Sequence, residues 1–138
     1  LKNSSKKVQK NKKIYIDRSD SLYNHCKIIN DTEIKEYLKK KGFQIVKLSK
    51  FSLKKQISIF KNSNLIIGPH GAGMANLIFC KRKTKVIEIQ YLGHPNKVYK
   101  RISTLNRLKH RFIMLQKIKN DKKGDMFLPI QKLKNYLN

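Results

Sequence analysis

An α/β three-layer sandwich on a mostly parallel sheet is the fold class that the sequence predicts, on three observations. Five short runs rich in Ile, Val, Phe and Tyr alternate with stretches carrying apolar residues at helical spacing, the order that parallel βαβ units require. The chain is 138 residues long, enough for one domain that buries roughly two thirds of its surface. Its longest apolar runs, 65–67 and 112–115, are far too short for a membrane span or a signal-peptide core. The two cysteines, Cys26 and Cys80, form no CxxC pair, which excludes a disulfide scaffold and a cysteine zinc cluster.

The elements follow in order. Residues 1–12 (LKNSSKKVQKNK) are basic and without period and read as a flexible lead-in. Residues 13–17 (KIYID) form the first strand. A helix over 30–41 carries Ile34, Tyr37 and Leu38 on one face. Asn30 and Glu33 make a capping-box-like start, and Gly42 is the stop. The second strand is 43–48 (FQIVKL). Ser52 caps a helix with Leu53, Ile57 and Phe60 on its inner face. Residues 64–68 (NLIIG) form a buried strand. A glycine-rich turn then leads to a helix bearing Met74, Leu77 and Ile78. Residues 85–89 (KVIEI) make the fourth strand, and Asn96 starts a helix with Val98, Ile102 and Leu105. Residues 111–116 (RFIMLQ) make the fifth strand. Pro129 opens a last short helix with Ile130, Leu133 and Leu137. Residues 13–118 are thus expected to form the domain and 119–138 a linker and short helix. Starting on Leu1, the chain is expected to be a piece of a longer protein.

The formal net charge is +25, from 28 Lys and 5 Arg against 8 acidic residues. Lys, Ile and Asn are all abundant and share A/T-rich codons, so codon bias accounts for much of the lysine. Selection for phosphate geometry favours Arg. Attraction to nucleotides, lipid headgroups or nucleic acid is the functional alternative. No aromatic–arginine interleaving or known nucleic-acid motif supports a specific nucleic-acid partner.

In open parallel sheets, ligands bind beyond the carboxyl ends of the strands. The most informative loop there is Gly68-Pro69-His70-Gly71-Ala72-Gly73. Its glycines let the backbone turn and a ligand approach, and the amides opening the next helix suit a diphosphate. His70 is placed to donate to a phosphate or to move a proton. Asn76 adds a second polar contact. The spacing is neither the dinucleotide GxGxxG nor a P-loop. His25, His94 and His110 read as ordinary surface or loop histidines.

The run NLIIGPHGAGMANLIF (64–79) resembles the signature of glycosyltransferase family 61. KIYIDR (13–18), KIINDTE (27–33), FSLKKQISIF (51–60) and KVIEI (85–89) resemble further stretches of that family in the same order. Lys27 and Asp31 stand where the family usually has Arg and Glu. The resemblance implies a GT-B enzyme of two Rossmann-like halves, of which this chain matches the C-terminal, donor-binding one. It also implies inverting transfer from a nucleotide-sugar, UDP-linked by expectation, to a glycan or polysaccharide such as a bacterial capsule. No DxD occurs, and neither a metal nor another cofactor is expected.

On that reading Arg18 contacts phosphate, the amides of His70, Gly71, Ala72 and Gly73 hold the diphosphate with Gly68 also at the substrate site, and Glu88 meets ribose hydroxyls. Lys27 and Asn30 line the same mouth, with Asn30 equally a helix cap. His70 is the catalytic candidate, unless the base comes from a missing N-terminal acceptor domain. A cytoplasmic place is expected, with peripheral contact to an anionic inner membrane. The alternative is a Lys-rich anion-binding module without catalysis. A dehydrogenase on the same fold is disfavoured because the dinucleotide fingerprint is missing.

Overall fold

The computed structural model describes residues 12–19, 27–93, 96–116, 118 and 125–138. Residues 1–11 of the expected lead-in, His25, Cys26, His94 and the polar break at 119–124 lie outside them. Five strands form one sheet: β1 (Lys12–Ile16), β2 (Phe43–Val46), β3 (Ser63–Pro69), β4 (Lys85–Tyr91) and β5 (Lys109–Leu115). Their order is β2-β1-β3-β4-β5, and every pairing is parallel. Helices α1 (Asp31–Lys40), α2 (Leu53–Lys61), α3 (Val98–Leu105) and α4 (Ile130–Leu137) cover the two faces. The fold is a Rossmann-like three-layer α/β sandwich.

Alternation along the strands builds two cores. Tyr15, Ile67, Ile87, Ile89, Ile113 and Leu115 face Ile34 and Leu38 of α1 and Leu133 of α4. Ile14, Ile16, Ile66 and Val86 face Ile59 and Phe60 of α2 together with Met74 and Leu77. Most of these side chains are fully buried, and burying each contributes about 1.5–3 kcal/mol against chain entropy. Ser52 caps α2, its hydroxyl accepting from the Lys55 N–H at 3.2 Å. Gly42 follows α1 at φ +86°, the left-handed conformation that glycine adopts without a Cβ penalty.

Expectations for three of the helical segments are corrected. The segment after the glycine turn is a 3₁₀ helix, Ala72–Phe79. Three residues per turn put Met74, Leu77 and Cys80 on the inner side and leave Ile78 59% exposed. Leu53 and Leu105 are exposed rather than inward, at 65% and 85%. α2 buries Ile59 beside the expected Phe60, and α3 turns Ser103 inward with the expected Ile102 against the core.

Residues 125–138 are part of the core rather than an appendage. Met126 and Leu128 are buried, and a parallel bridge joins Ile28 to Met126. The Asn30 side chain secures this lash. Its amide donates to the Leu128 carbonyl at 2.7 Å, and its oxygen accepts the Leu128 N–H at 3.0 Å. Asn30 also donates to Glu33 at 3.2 Å but makes no side-chain cap.

Candidate active site

In this strand order the chain reverses direction between β1 and β3, the switch point beyond whose carboxyl ends open parallel sheets form their ligand crevice. Asp17 follows β1 there. Its backbone N–H donates to the Val46 carbonyl, and its carboxylate accepts the Ser19 N–H at 2.8 Å, an Asx turn that projects Arg18. Burial would raise the Asp17 carboxyl, but the Lys35 ammonium at 2.8 Å and Ser19 hold it below its usual range. Lys35 also bridges to Asp31, which accepts the Tyr15 hydroxyl at 2.7 Å. Asp31 and Glu33 are therefore spent on structure.

Arg18 donates to the carbonyl of His70. Its side chain lies across Gly71, where an added Cβ would stand 2.5 Å from the Arg18 Nε. The strand-end argument that puts Arg18 and His70 in one crevice thus holds in the geometry. The Gly71 φ of 168° is extended, so close approach, not backbone strain, is what requires a glycine.

His70 is held from behind. Its N–H donates to the Ile89 carbonyl at 2.8 Å, and its Nδ1 meets the Glu88 carboxylate at 2.6 Å. That carboxylate is fully buried. Its Oε2 also accepts the Gln90 side-chain amide at 2.7 Å, and its Oε1 meets His110 Nε2 at 2.8 Å. Burial would raise the Glu88 carboxyl, but the hydrogen bonds from His110, His70 and Gln90 bring it down to about 2. Glu88 is therefore an anion that orients His70, and it does not face the crevice as a ribose contact would. His70 keeps 32% of its side chain exposed, and its Nε2 has no partner among the described residues. The Tyr99 ring of α3 packs 4.9 Å from the imidazole. Burial and the Glu88 charge raise its hydroxyl pKa, against the pull of Arg18.

The other sequence candidates divide. Gly71, Ala72 and Gly73 lead into the first 3₁₀ bond, from Met74 N–H to Gly71 carbonyl, so their own amides donate nothing within that helix. Gly68 is buried, and a Cβ there would meet Ile16 at 3.0 Å, so it serves packing. Asn76 donates to Gln56 at 3.0 Å, and Gln56 bonds the Leu48 and Phe51 carbonyls, a clamp that seats α2 on the 3₁₀ helix. Asn30 is committed to Leu128. Lys27 is exposed, and its carbonyl accepts the Met126 N–H. Among the described residues no three His, Cys, Asp or Glu side chains stand where they would hold one metal ion. A separate cavity of about 280 Å³ opens at the amino ends of β3, β4 and β5, beside Leu65, Lys85, Lys109 and Tyr136.

The family described as Glycosyltransferase 61 matches residues 2–87, well over half of the chain. The chain belongs to glycosyltransferase family 61. Membership makes it a glycosyltransferase chain, with a sugar donor and an acceptor as the substrates of its reaction. The match takes in Arg18 and the His70–Gly73 loop and stops one residue short of Glu88. Comparison with curated proteins finds no match. Among the described residues no helix is long and apolar enough to cross a membrane.

Sequence reasoning missed His110, Gln90, Ser103 and Tyr99. His110 is a correction: it is 8% exposed on β5, not a surface histidine. One signal was available. Glu88 and Gln90 alternate on β4, two polar residues on one face of a strand that reads as buried.

Proposed function

We propose that this domain is the donor half of an inverting glycosyltransferase that binds a nucleotide-sugar, UDP-linked, across the β1/β3 crevice. The observation that supports this reading is the convergence there of Arg18, the Gly71–Gly73 amides and a histidine backed by a buried carboxylate. Arg18 and the amides receive the diphosphate, charge against charge. His70 Nε2 takes the proton of the acceptor hydroxyl as that oxygen attacks the anomeric carbon. The bond from that carbon to the diphosphate breaks, and the nucleotide leaves with the electron pair. Glu88 stabilises the imidazolium that forms, in the manner of a triad carboxylate.

On this reading a glycan or polysaccharide acceptor, capsular in kind, is held by a partnering half. Positioning of that acceptor supplies roughly 7–11 kcal/mol of the barrier, so the 138-residue chain alone binds UDP but transfers little sugar. A cytoplasmic nucleotide-sugar pool beside an anionic membrane is the setting it implies, and no metal takes part. Thermal unfolding with UDP, NAD or duplex DNA at two salt concentrations tests the reading. Selective stabilisation by UDP at high salt is expected. Stabilisation by DNA alone, lost at high salt, would replace it with a Lys-rich anion-binding module.

A further inference from the structure

The hydrogen-bond chain behind His70 continues past Glu88. His110 Nε2 meets Glu88 Oε1 at 2.8 Å, and His110 Nδ1 meets the Ser103 hydroxyl at 2.6 Å. The His110 side chain has no exposed surface, and Ser103 is the fully buried residue of α3. We infer that His110 is a positioning residue of the site, acting through Glu88 on His70, and that Ser103 fixes the tautomer His110 needs for this. The inference rests on the reading of His70 as the proton acceptor.

The directions of the hydrogen bonds are dictated in sequence. A carboxylate only accepts, so each nitrogen against Glu88 carries a proton: His70 Nδ1, Gln90 Nε2 and His110 Nε2. In the neutral ring His110 Nδ1 is then a lone pair, and the Ser103 hydroxyl donates to it. His70 Nδ1 is likewise protonated, which leaves its Nε2 lone pair toward the crevice. Around Glu88 stand His70 from the end of β3, Gln90 from β4 and His110 from β5, and the Tyr99 hydroxyl of α3 feels both the Glu88 charge and the Arg18 guanidinium.

Among the described residues only His110 serves Oε1. Without it, a buried anion keeps an unpaired oxygen, and the carboxylate turns or takes up a proton. Either change unlocks His70. A buried carboxylate held by hydrogen bonds is weak support for stability alone, so its consequence is the geometry it imposes.

Histidine-labelled NMR of the 138-residue chain tests this without any ligand. The wild type is expected to show a slowly exchanging low-field His70 Nδ1 proton and a His110 protonated on Nε2. His110→Phe keeps the ring shape and loses the donor; His110→Gln loses the ring and keeps a donor. The Phe variant is expected to lose the His70 proton signal, and its Glu88 carboxyl carbon to titrate about one to two pH units higher. The Gln variant is expected to retain both features. A Phe variant indistinguishable from wild type, or a Gln variant no better than Phe, would show that His110 only fills space.

If neither folds, Ser103→Ala decides. Mixed His110 tautomers with a weakened His70 signal support the relay, and an unchanged spectrum overturns it. UDP titration of the same samples separates the two readings. A wild type with the His70 signal but no UDP binding sinks the nucleotide assignment and leaves the relay standing.

Discussion

Replacing Gly71 with Ala tests the crevice through a single atom. The added Cβ would lie 2.5 Å from Arg18 Nε and 2.6 Å from its Cζ. The backbone does not object, since φ is 168°. The guanidinium therefore swings away and gives up its bond to the His70 carbonyl. A hydrogen bond from a charged donor is worth about 1.5–3 kcal/mol, and partial solvent access brings this site to the low end. Against that, Ala restricts the unfolded chain and returns about 0.4–1 kcal/mol. The net expectation is a loss on the order of 1 kcal/mol, with UDP affinity falling about tenfold or more.

In an Arg18→Ala background nothing is left to displace. There Gly71→Ala is expected to change sign, stabilising by about 0.4–1 kcal/mol, and to leave UDP affinity where Arg18→Ala put it. Urea unfolding and calorimetric titration of the four proteins complete the cycle. Additive losses would refute the reasoning, because Gly71 would then matter for something other than the arginine lying across it.

Glu88 makes the fold acid-sensitive in a defined window. Its carboxyl sits at about 2 in the fold against an ordinary 4.5, so its contribution is present above pH 4.5 and is lost as pH falls toward 2. That contribution is on the order of 3 kcal/mol, and urea midpoints of Glu88→Gln are expected to fall less steeply with acid than wild type. Asn30→Ala orphans the N–H and carbonyl of Leu128 and should cost about 2–4 kcal/mol. UDP affinity is expected to hold in that variant, and a large affinity loss in a stably folded protein would return Asn30 to the ligand mouth. Burial pushes the Cys80 thiol up to about 12; in a Cys26→Ser background it is expected to resist alkylation at pH 8 until the chain unfolds.

Much of the fold was legible because it is local. The 3.6-residue stripe of Ile34 and Leu38 in α1, the Ser52 cap and the Gly42 stop are written within a few residues of where they act. So is the crevice: a histidine among glycines after a run as apolar as LIIG can only sit at a strand's carboxyl end. The single arginine after KIYID does the same for β1, and parallel pairing brings the two ends together.

The machinery behind His70 is non-local. Glu88 stands 18 residues from His70 and 22 from His110, and no spacing rule links them. Only the β4–β5 pairing, with Glu88 opposite Phe112, places His110 on the face that Glu88 shares. The same holds for Asn30 and Leu128, 98 residues apart. Composition and periodicity determined which segments became strands and helices and where a ligand would be met. The packed sheet decided which polar side chains are buried together, because a buried donor or acceptor takes whatever partner the neighbouring strand presents.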